Sequence, residues 1–108
     1  MTDNAYPVGQ RWRFLAGPMT IEHEIRSMMS IYARHVQGPL AGREELLTVT
    51  ITPIRDALFV VSWQEADSST VVHVEDFENQ TFVSCVTTAD AKFLEFHGSM
   101  LRVAAETI

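Results

Sequence analysis

The sequence predicts an all-β protein in which about eight antiparallel strands close into a barrel. Turn signals recur along the chain at intervals of roughly 8–12 residues, which is typical of a meander of short strands. The stretches between these signals are rich in β-branched and aromatic residues. A barrel of this size encloses an interior that holds side chains or one small ligand, and its closure removes exposed sheet edges.

The predicted strands have individual patterns. Alternation over residues 11–16 places Trp12 and Phe14 on the same side. Residues 47–52 alternate apolar side chains with threonine. The remaining strand-like stretches are residues 57–65, 70–77, 81–88 and 93–103. Gly98 in the last stretch predicts a bulge or a bend.

Residues 20–37 allow two interpretations. Apolar residues recur there at three- and four-residue steps before Gly38-Pro39, which predicts an amphipathic helix. Alternatively, residues 19–25 form a strand with alternating faces, the chain turns near Arg26-Ser27, and a second alternating strand follows. The hairpin completes the eight-stranded barrel, whereas the helix gives an α+β fold with residues 20–37 packed on an antiparallel sheet. The local pattern by itself slightly favours the helix.

The composition indicates one acidic globular domain. The 108 residues fit a single domain, 1–108, with a barrel core over about residues 9–104. Eight Lys and Arg against 14 Asp and Glu give a net charge of −6, which argues against nucleic acid as a partner. No apolar run approaches the ~20 residues of a membrane helix, and the first residues lack the features of a secretory signal. No membrane partner is therefore expected. Cys85 is the one cysteine, so no internal disulfide can form, and we expect the protein to be cytoplasmic.

Three short motifs resemble the MoaF-like family, which groups molybdenum cofactor biosynthesis protein F with small single-domain relatives. The resemblance rests mainly on residues 62–78, with their Trp-Gln-Glu and Val-Val-His-Val-Glu-Asp-Phe strings, and is supported by Gly9-Gln-Arg-Trp12 and Gly38-Pro39-Leu40. It implies an eight-stranded lipocalin-like (calycin) barrel, in a wider group that includes phenolic acid decarboxylases. It also makes residues 20–37 a hairpin. Members of the family are mostly of unknown activity, so the resemblance implies a fold rather than a reaction.

Two strand patterns bring polar side chains toward the predicted interior. Alternation places His73, Glu75 and Phe77 on one face. If that face lines the barrel, His73 and Glu75 form an acid–base pair, because each supports the charged form of the other; otherwise both lie on the solvated face. His23 shares its face with apolar residues, which is typical either of a ligand cavity or of a hydrogen-bonded core histidine. Trp63 is either a wall of the cavity or an outward residue in a subunit contact.

These candidates predict a small-molecule binding protein. A partly apolar or aromatic ligand is expected inside the barrel, with His23, Trp63, His73 and Glu75 as the ligand-binding residues. The histidine spacings match no metal motif, and neither a metal nor a cofactor is expected.

Two other functional interpretations remain open. The second is a lyase or isomerase that acts without a cofactor on a small organic acid through Glu75 and His73. Phenolic acid decarboxylases, which resemble this fold, combine tyrosine, arginine and glutamate, and no sequence pattern places Tyr6 or Tyr32 beside Glu75. The third is a protein that forms a homodimer through an outward sheet face carrying Trp63 or the pair Val72 and Val74.

Overall fold

The computed structural model describes residues 5–104 and shows a closed antiparallel barrel. Its strands are β1 (Arg11–Ala16), β2 (Met19–Ser27), β3 (Ser30–Gln37), β4 (Glu44–Arg55), β5 (Leu58–Gln64), β6 (Thr70–Asp76), β7 (Thr81–Thr87) and β8 (Phe93–Val103). Each strand pairs with its sequence neighbours, and β8 closes the barrel on β1 through pairs such as Trp12 with Arg102. The predicted eight-stranded fold is therefore confirmed. The part of the chain that the structure describes has no helix long and apolar enough to cross a membrane.

Residues 20–37 belong to the β2–β3 hairpin, so the helical alternative and its α+β fold are wrong. His23 pairs with Ala33 across this hairpin. The chain turns at the exposed Met28 and Met29, rather than at the expected Arg26-Ser27. The spacing that suggested a helix therefore mixed inward-facing residues with turn methionines. Pairing with β1 on one side and β4 on the other fixes both strands and overrides the local pattern.

The barrel interior has a filled end and a hollow end. At the filled end, the Tyr6 and Trp12 rings meet the Phe77 ring edge-on, with centroids 5.6 and 4.9 Å away. Tyr6 belongs to the segment before β1, which is held by a hydrogen bond from the Gly9 amide to the Ile25 carbonyl. The hollow end lies toward the β1–β2, β3–β4, β5–β6 and β7–β8 turns, and this is where the site is found.

Gly98 lets β8 pass close to β1. A Cβ atom at this position would lie 1.9 Å from the Leu15 carbonyl oxygen and 2.8 Å from the Phe82 ring, so a side chain cannot be accommodated. The pairing of β7 with β8 runs through Gly98 without a register shift. The glycine therefore serves close backbone packing, and the expected bulge is not seen in this strand pair.

Candidate functional site

A cavity of about 250 Å³ occupies the hollow end of the barrel. Apolar and aromatic side chains make up most of its wall and include Phe14, Met19, Leu47, Val71, Phe82 and Phe96. Polar side chains stand at two levels. Two histidines lie at the inner end, next to the filled half, and charged residues surround the mouth. An apolar enclosure with a few convergent polar groups is typical of a small-molecule site.

His23, His73 and Trp63 form the inner end of the cavity. The two imidazole rings are parallel within 6°, with centroids 5.7 Å apart. The Trp63 ring lies 4.8 Å from His73 and 5.6 Å from His23, and Phe14 is 4.6 Å from His23. These side chains meet because each occupies an inward position on its own strand, at β2, β6, β5 and β1 respectively.

His73 belongs to a hydrogen-bonded group of three side chains, Tyr6, Glu75 and His73, which we call the buried triad. Glu75 lies behind His73, and Tyr6 lies beside Glu75. Glu75 is completely buried. Its Oε1 accepts a hydrogen bond from the Tyr6 hydroxyl at 2.5 Å, and its Oε2 lies 2.9 Å from His73 Nδ1. Burial, reinforced by the Glu75 carboxylate, raises the pKa of Tyr6 well above its usual 10.0. The phenol therefore stays protonated and donates.

His23 is a neutral histidine at physiological pH. Burial lowers its pKa well below the usual 6.5, and the neighbouring His73 and His35 lower it further. Its Nδ1 is buried and has no hydrogen-bond partner within residues 5–104. Buried polar atoms nearly always have such a partner, so this nitrogen is an exception among the described residues.

The mouth of the cavity is acidic in balance. The Arg43 guanidinium lies 3.2 Å from Glu45 and 3.7 Å from Glu65. The Trp63 indole N–H donates to Glu65 at 3.3 Å, which links the mouth to the inner end. Burial raises the pKa of Glu65. With Asp67 also lining the opening, three carboxyl groups surround one guanidinium.

The four predicted site residues lie together. His23, Trp63 and His73 line the cavity, and Glu75 lies directly behind His73. The solvated-face alternative for His73 and Glu75 is wrong, because both are buried. Trp63 points inward as a cavity wall rather than outward. That these residues bind a ligand stays a prediction.

Tyr6 and Arg43 are two of the site residues that the sequence did not indicate. Tyr6 lies beside Glu75, in a contact between residues 69 positions apart that no sequence pattern had indicated. It precedes the first strand, so no strand periodicity could place it. Arg43 follows Gly42 in a turn, where side-chain direction depends on loop geometry rather than on alternation.

A family model for MoaF-like proteins matches residues 8–101. This chain belongs to the MoaF-like family. The match covers every strand from β1 to β7 and most of β8, and so includes His73 and Glu75, whereas Tyr6 precedes it. The resemblance seen in residues 62–78 is thereby confirmed.

The MoaF-like barrel also has a similar solved structure. It is the crystal structure of a protein from Burkholderia vietnamiensis that has been provisionally named a β-lactamase. The two chains are 27% identical, with a TM-score of 0.86, over 91% of this chain and 97% of the other. Comparison with curated proteins gives no significant match.

Proposed function

We propose that this MoaF-like protein binds a small, uncharged molecule with one aromatic ring, or a similar apolar group, inside its barrel. The observation that supports the proposal is the aromatic-walled cavity with two histidines at its inner end. The apolar part of the ligand would pack against Phe14, Trp63 and Phe82, and its polar group would reach the imidazole rings.

The cavity volume limits the size of the ligand. A dry cavity of roughly 150 Å³ accepts benzene, so a volume of about 250 Å³ accepts about ten non-hydrogen atoms. That corresponds to one ring with a short substituent, or to a compact bicycle. A drug-sized or lipid-sized molecule would not fit within the barrel.

The charge distribution favours an uncharged ligand. Burying an unpaired ion is costly, and the inner end offers no unpaired charge to match one. His23 is neutral, and His73 already faces Glu75. At the mouth, Arg43 is already within reach of two carboxylates, so it does not supply a free cation for an anionic ligand.

The name of the Burkholderia protein raises β-lactam hydrolysis as a second activity, which we do not extend to this chain. One serine β-lactamase mechanism uses a Ser-x-x-Lys motif, in which the lysine lies three residues after the nucleophile. The one lysine here is Lys92, and the residue three positions before it is Ala89. A β-lactam antibiotic is also larger than the roughly ten atoms that the cavity accepts.

Binding of phenol tests the proposal. Titration followed by calorimetry and by ¹H–¹⁵N NMR should give saturable binding, with a dissociation constant between about 1 µM and 1 mM for a ligand of this size. The indole N–H signal of Trp63 should shift. Benzoate should bind at least about tenfold more weakly, because it must bury a negative charge next to an acidic mouth.

The matched variants for this test are Ala33→Phe and Ala104→Phe. Ala33 is a buried wall residue of the cavity, whereas Ala104 is exposed after β8 at the opposite end. Ala33→Phe should abolish phenol binding, and Ala104→Phe should not change it. If Ala33→Phe does not fold, Ala33→Leu fills less of the same space. Equal binding by all variants, or no binding by the wild type, would contradict the proposal.

A further inference from the structure

The buried triad places a basic nitrogen at the wall of an apolar cavity. Glu75 Oε2 lies 2.9 Å from His73 Nδ1, and the neutral tautomer that suits this contact carries its proton on Nδ1 and donates it to the carboxylate. The other ring nitrogen, Nε2, then has a free lone pair on the far side of the ring from Glu75. The His73 ring lines the cavity, and Nε2 is the ring nitrogen that Glu75 does not occupy.

Tyr6 fixes the position of Glu75. Its hydroxyl occupies one carboxylate oxygen and leaves the other for the imidazole. The Tyr6 ring is itself held edge-on by Phe59 and Phe77, with centroids 5.2 and 5.6 Å away. A carboxylate constrained in this way can stabilise an imidazolium without reorganising, which is the requirement for an efficient buried base.

His23 lies beside His73 at the inner end of the cavity and complements the triad. It stays neutral, so it does not compete with His73 for a proton. A neutral imidazole can donate a hydrogen bond to a carbonyl oxygen of a substrate bound against the inner end of the cavity. The Trp63 and Phe14 rings contact both histidines and give this end of the cavity an aromatic wall.

We propose that the buried triad makes the cavity a catalytic site for proton transfer, with His73 as the general base, Glu75 and Tyr6 as positioning residues, and an uncharged carbonyl compound with an acidic C–H bond as the substrate. The proposal rests on the proposed binding function, because the substrate must occupy the same cavity. It goes beyond that function by giving the cavity a reaction.

The reaction needs no further reactant. His73 Nε2 takes the proton from the carbon next to the carbonyl, so that a C–H bond breaks and an N–H bond forms. The electron pair moves to form an enolate, whose oxygen accepts a hydrogen bond from His23. The imidazolium is stabilised by Glu75. In a substrate with a C=C bond next to the deprotonated carbon, the enolate extends over that bond, and the imidazolium returns the proton to the far carbon of the C=C bond. The C=C bond thereby moves into conjugation with the carbonyl group, which completes an isomerisation and returns His73 to its starting form.

The ring opening of 1,2-benzisoxazole tests for such a base with a probe of suitable size. A base removes the proton from C3, the N–O bond breaks, a nitrile forms, and the electron pair leaves on the phenolate oxygen of 2-hydroxybenzonitrile. The phenolate is followed by its ultraviolet absorbance. We expect saturable turnover at least about 100-fold faster than with the same concentration of free imidazole.

Three substitutions identify the base and its supports. His73→Gln should reduce turnover to the background. Glu75→Gln should reduce it by about 10²- to 10⁴-fold, because the amide no longer stabilises the imidazolium. Tyr6→Phe should reduce it by about tenfold and shift the pH profile of the rate. Glu75 and His23 are the titratable groups described next to the His73 ring, and Tyr6 reaches it through Glu75. A change in packing that leaves these contacts intact would not shift the profile.

His97→Gln is the matched control, because His97 also pairs with a glutamate two residues away but lies on the outer face. It should leave turnover unchanged. The isomer 1,3-benzoxazole, which has no N–O bond to break, serves as an unreactive ligand of the same size. It should bind to the wild type and to Glu75→Gln with similar affinity, which shows that the variant is folded and that the cavity is open.

The outcomes separate the two proposals. Binding of 1,3-benzoxazole without turnover of 1,2-benzisoxazole overturns the catalytic proposal and leaves the binding function standing. Absence of both overturns the binding function as well. Turnover that survives in His73→Gln, or in the cavity-filling Ala33→Phe, assigns the reaction to a surface group and also overturns the catalytic proposal.

Discussion

β6 and β8 each carry a histidine and a glutamate two positions apart, and the two pairs lie in opposite environments. Inside the barrel, His73 Nδ1 is 2.9 Å from Glu75 Oε2, with side chains 8% and 0% exposed. On the outer face, His97 Nε2 is 2.5 Å from Glu95 Oε2, with side chains 65% and 47% exposed. The same residues at the same spacing thus give a cavity group or a solvated pair, according to the face of the strand.

A buried carboxylate on the outer face shows that burial alone does not make a reactive group. Glu22 is only 2% exposed, yet it lies outside the barrel beneath arginine side chains. Its carboxylate is 2.6 Å from Arg34 and 3.1 Å from Arg13. Burial works against ionisation of Glu22, but these hydrogen bonds outweigh it, and the net effect lowers the pKa of Glu22. Arginine side chains, which are always charged, hold Glu22 in its ionised form. Glu75 instead has a phenol and an imidazole as partners, and these groups can exchange protons.

The largest expected effect on stability comes from removing the inner carboxyl group. Glu75→Ala should lower the free energy of unfolding by about 3 kcal/mol, because it leaves a void and deprives the Tyr6 hydroxyl and His73 Nδ1 of their shared partner. Urea unfolding at neutral pH measures the change. Glu95→Ala removes the equivalent carboxyl group of the outer pair and should leave the unfolding midpoint unchanged. Equal loss of stability in the two variants would show that burial inside the barrel does not determine what a His–Glu pair contributes to stability.

Removing the outer buried charge should have a smaller effect. Glu22→Gln should cost about 2 kcal/mol, since charge-assisted hydrogen bonds are lost but the guanidinium groups still reach water. Because the pKa of Glu22 is lowered in the folded state, this contribution is present above the ordinary carboxyl pKa and disappears as the pH falls through the lowered one. The difference between wild type and Glu22→Gln should therefore vanish in acid. Glu24→Gln, at the exposed pair with Arg26, is the control and should behave as the wild type does.

The two His–Glu pairs also show what the sequence could and could not predict. Alternation on β6 correctly placed His73 and Glu75 on one face, because every residue of a strand is constrained by the period of two. Alternation could not decide which face of β6 lies inside the barrel, because Val72 and Val74 make the opposite face at least as apolar as the face with His73 and Glu75. The barrel as a whole decides that, because the inward faces of all eight strands form one core.

Contacts outside the strands lay beyond prediction for a different reason. Tyr6 reaches Glu75 because the segment before β1 crosses the filled end of the barrel, held by a backbone hydrogen bond to Ile25. No periodic signal encodes such a crossing. The β2–β3 segment shows the opposite failure, in which a local signal for a helix was present but long-range pairing prevailed.

The smallest expected effect concerns the pH dependence that His23 gives to stability. Its pKa is lowered in the folded state by burial, so in acid the unfolded chain binds a proton that the folded chain does not. Stability is therefore complete above the ordinary histidine pKa of 6.5 and is lost as the pH falls below it, by at most about 1.4 kcal/mol per pH unit. His35, whose pKa is lowered by burial and by Arg43, adds to the loss in the same direction.

Urea unfolding at pH 6.5 and at pH 5.5 isolates the share that belongs to His23. His23→Gln cannot take up the proton, so its stability should fall less than that of the wild type over this interval. The exposed His97 provides the comparison, and His97→Gln should fall as steeply as the wild type. An equally steep fall in His23→Gln would mean that the inner end of the cavity admits water and solvates the imidazolium. The neutral histidine on which the proposed site depends would then be lost.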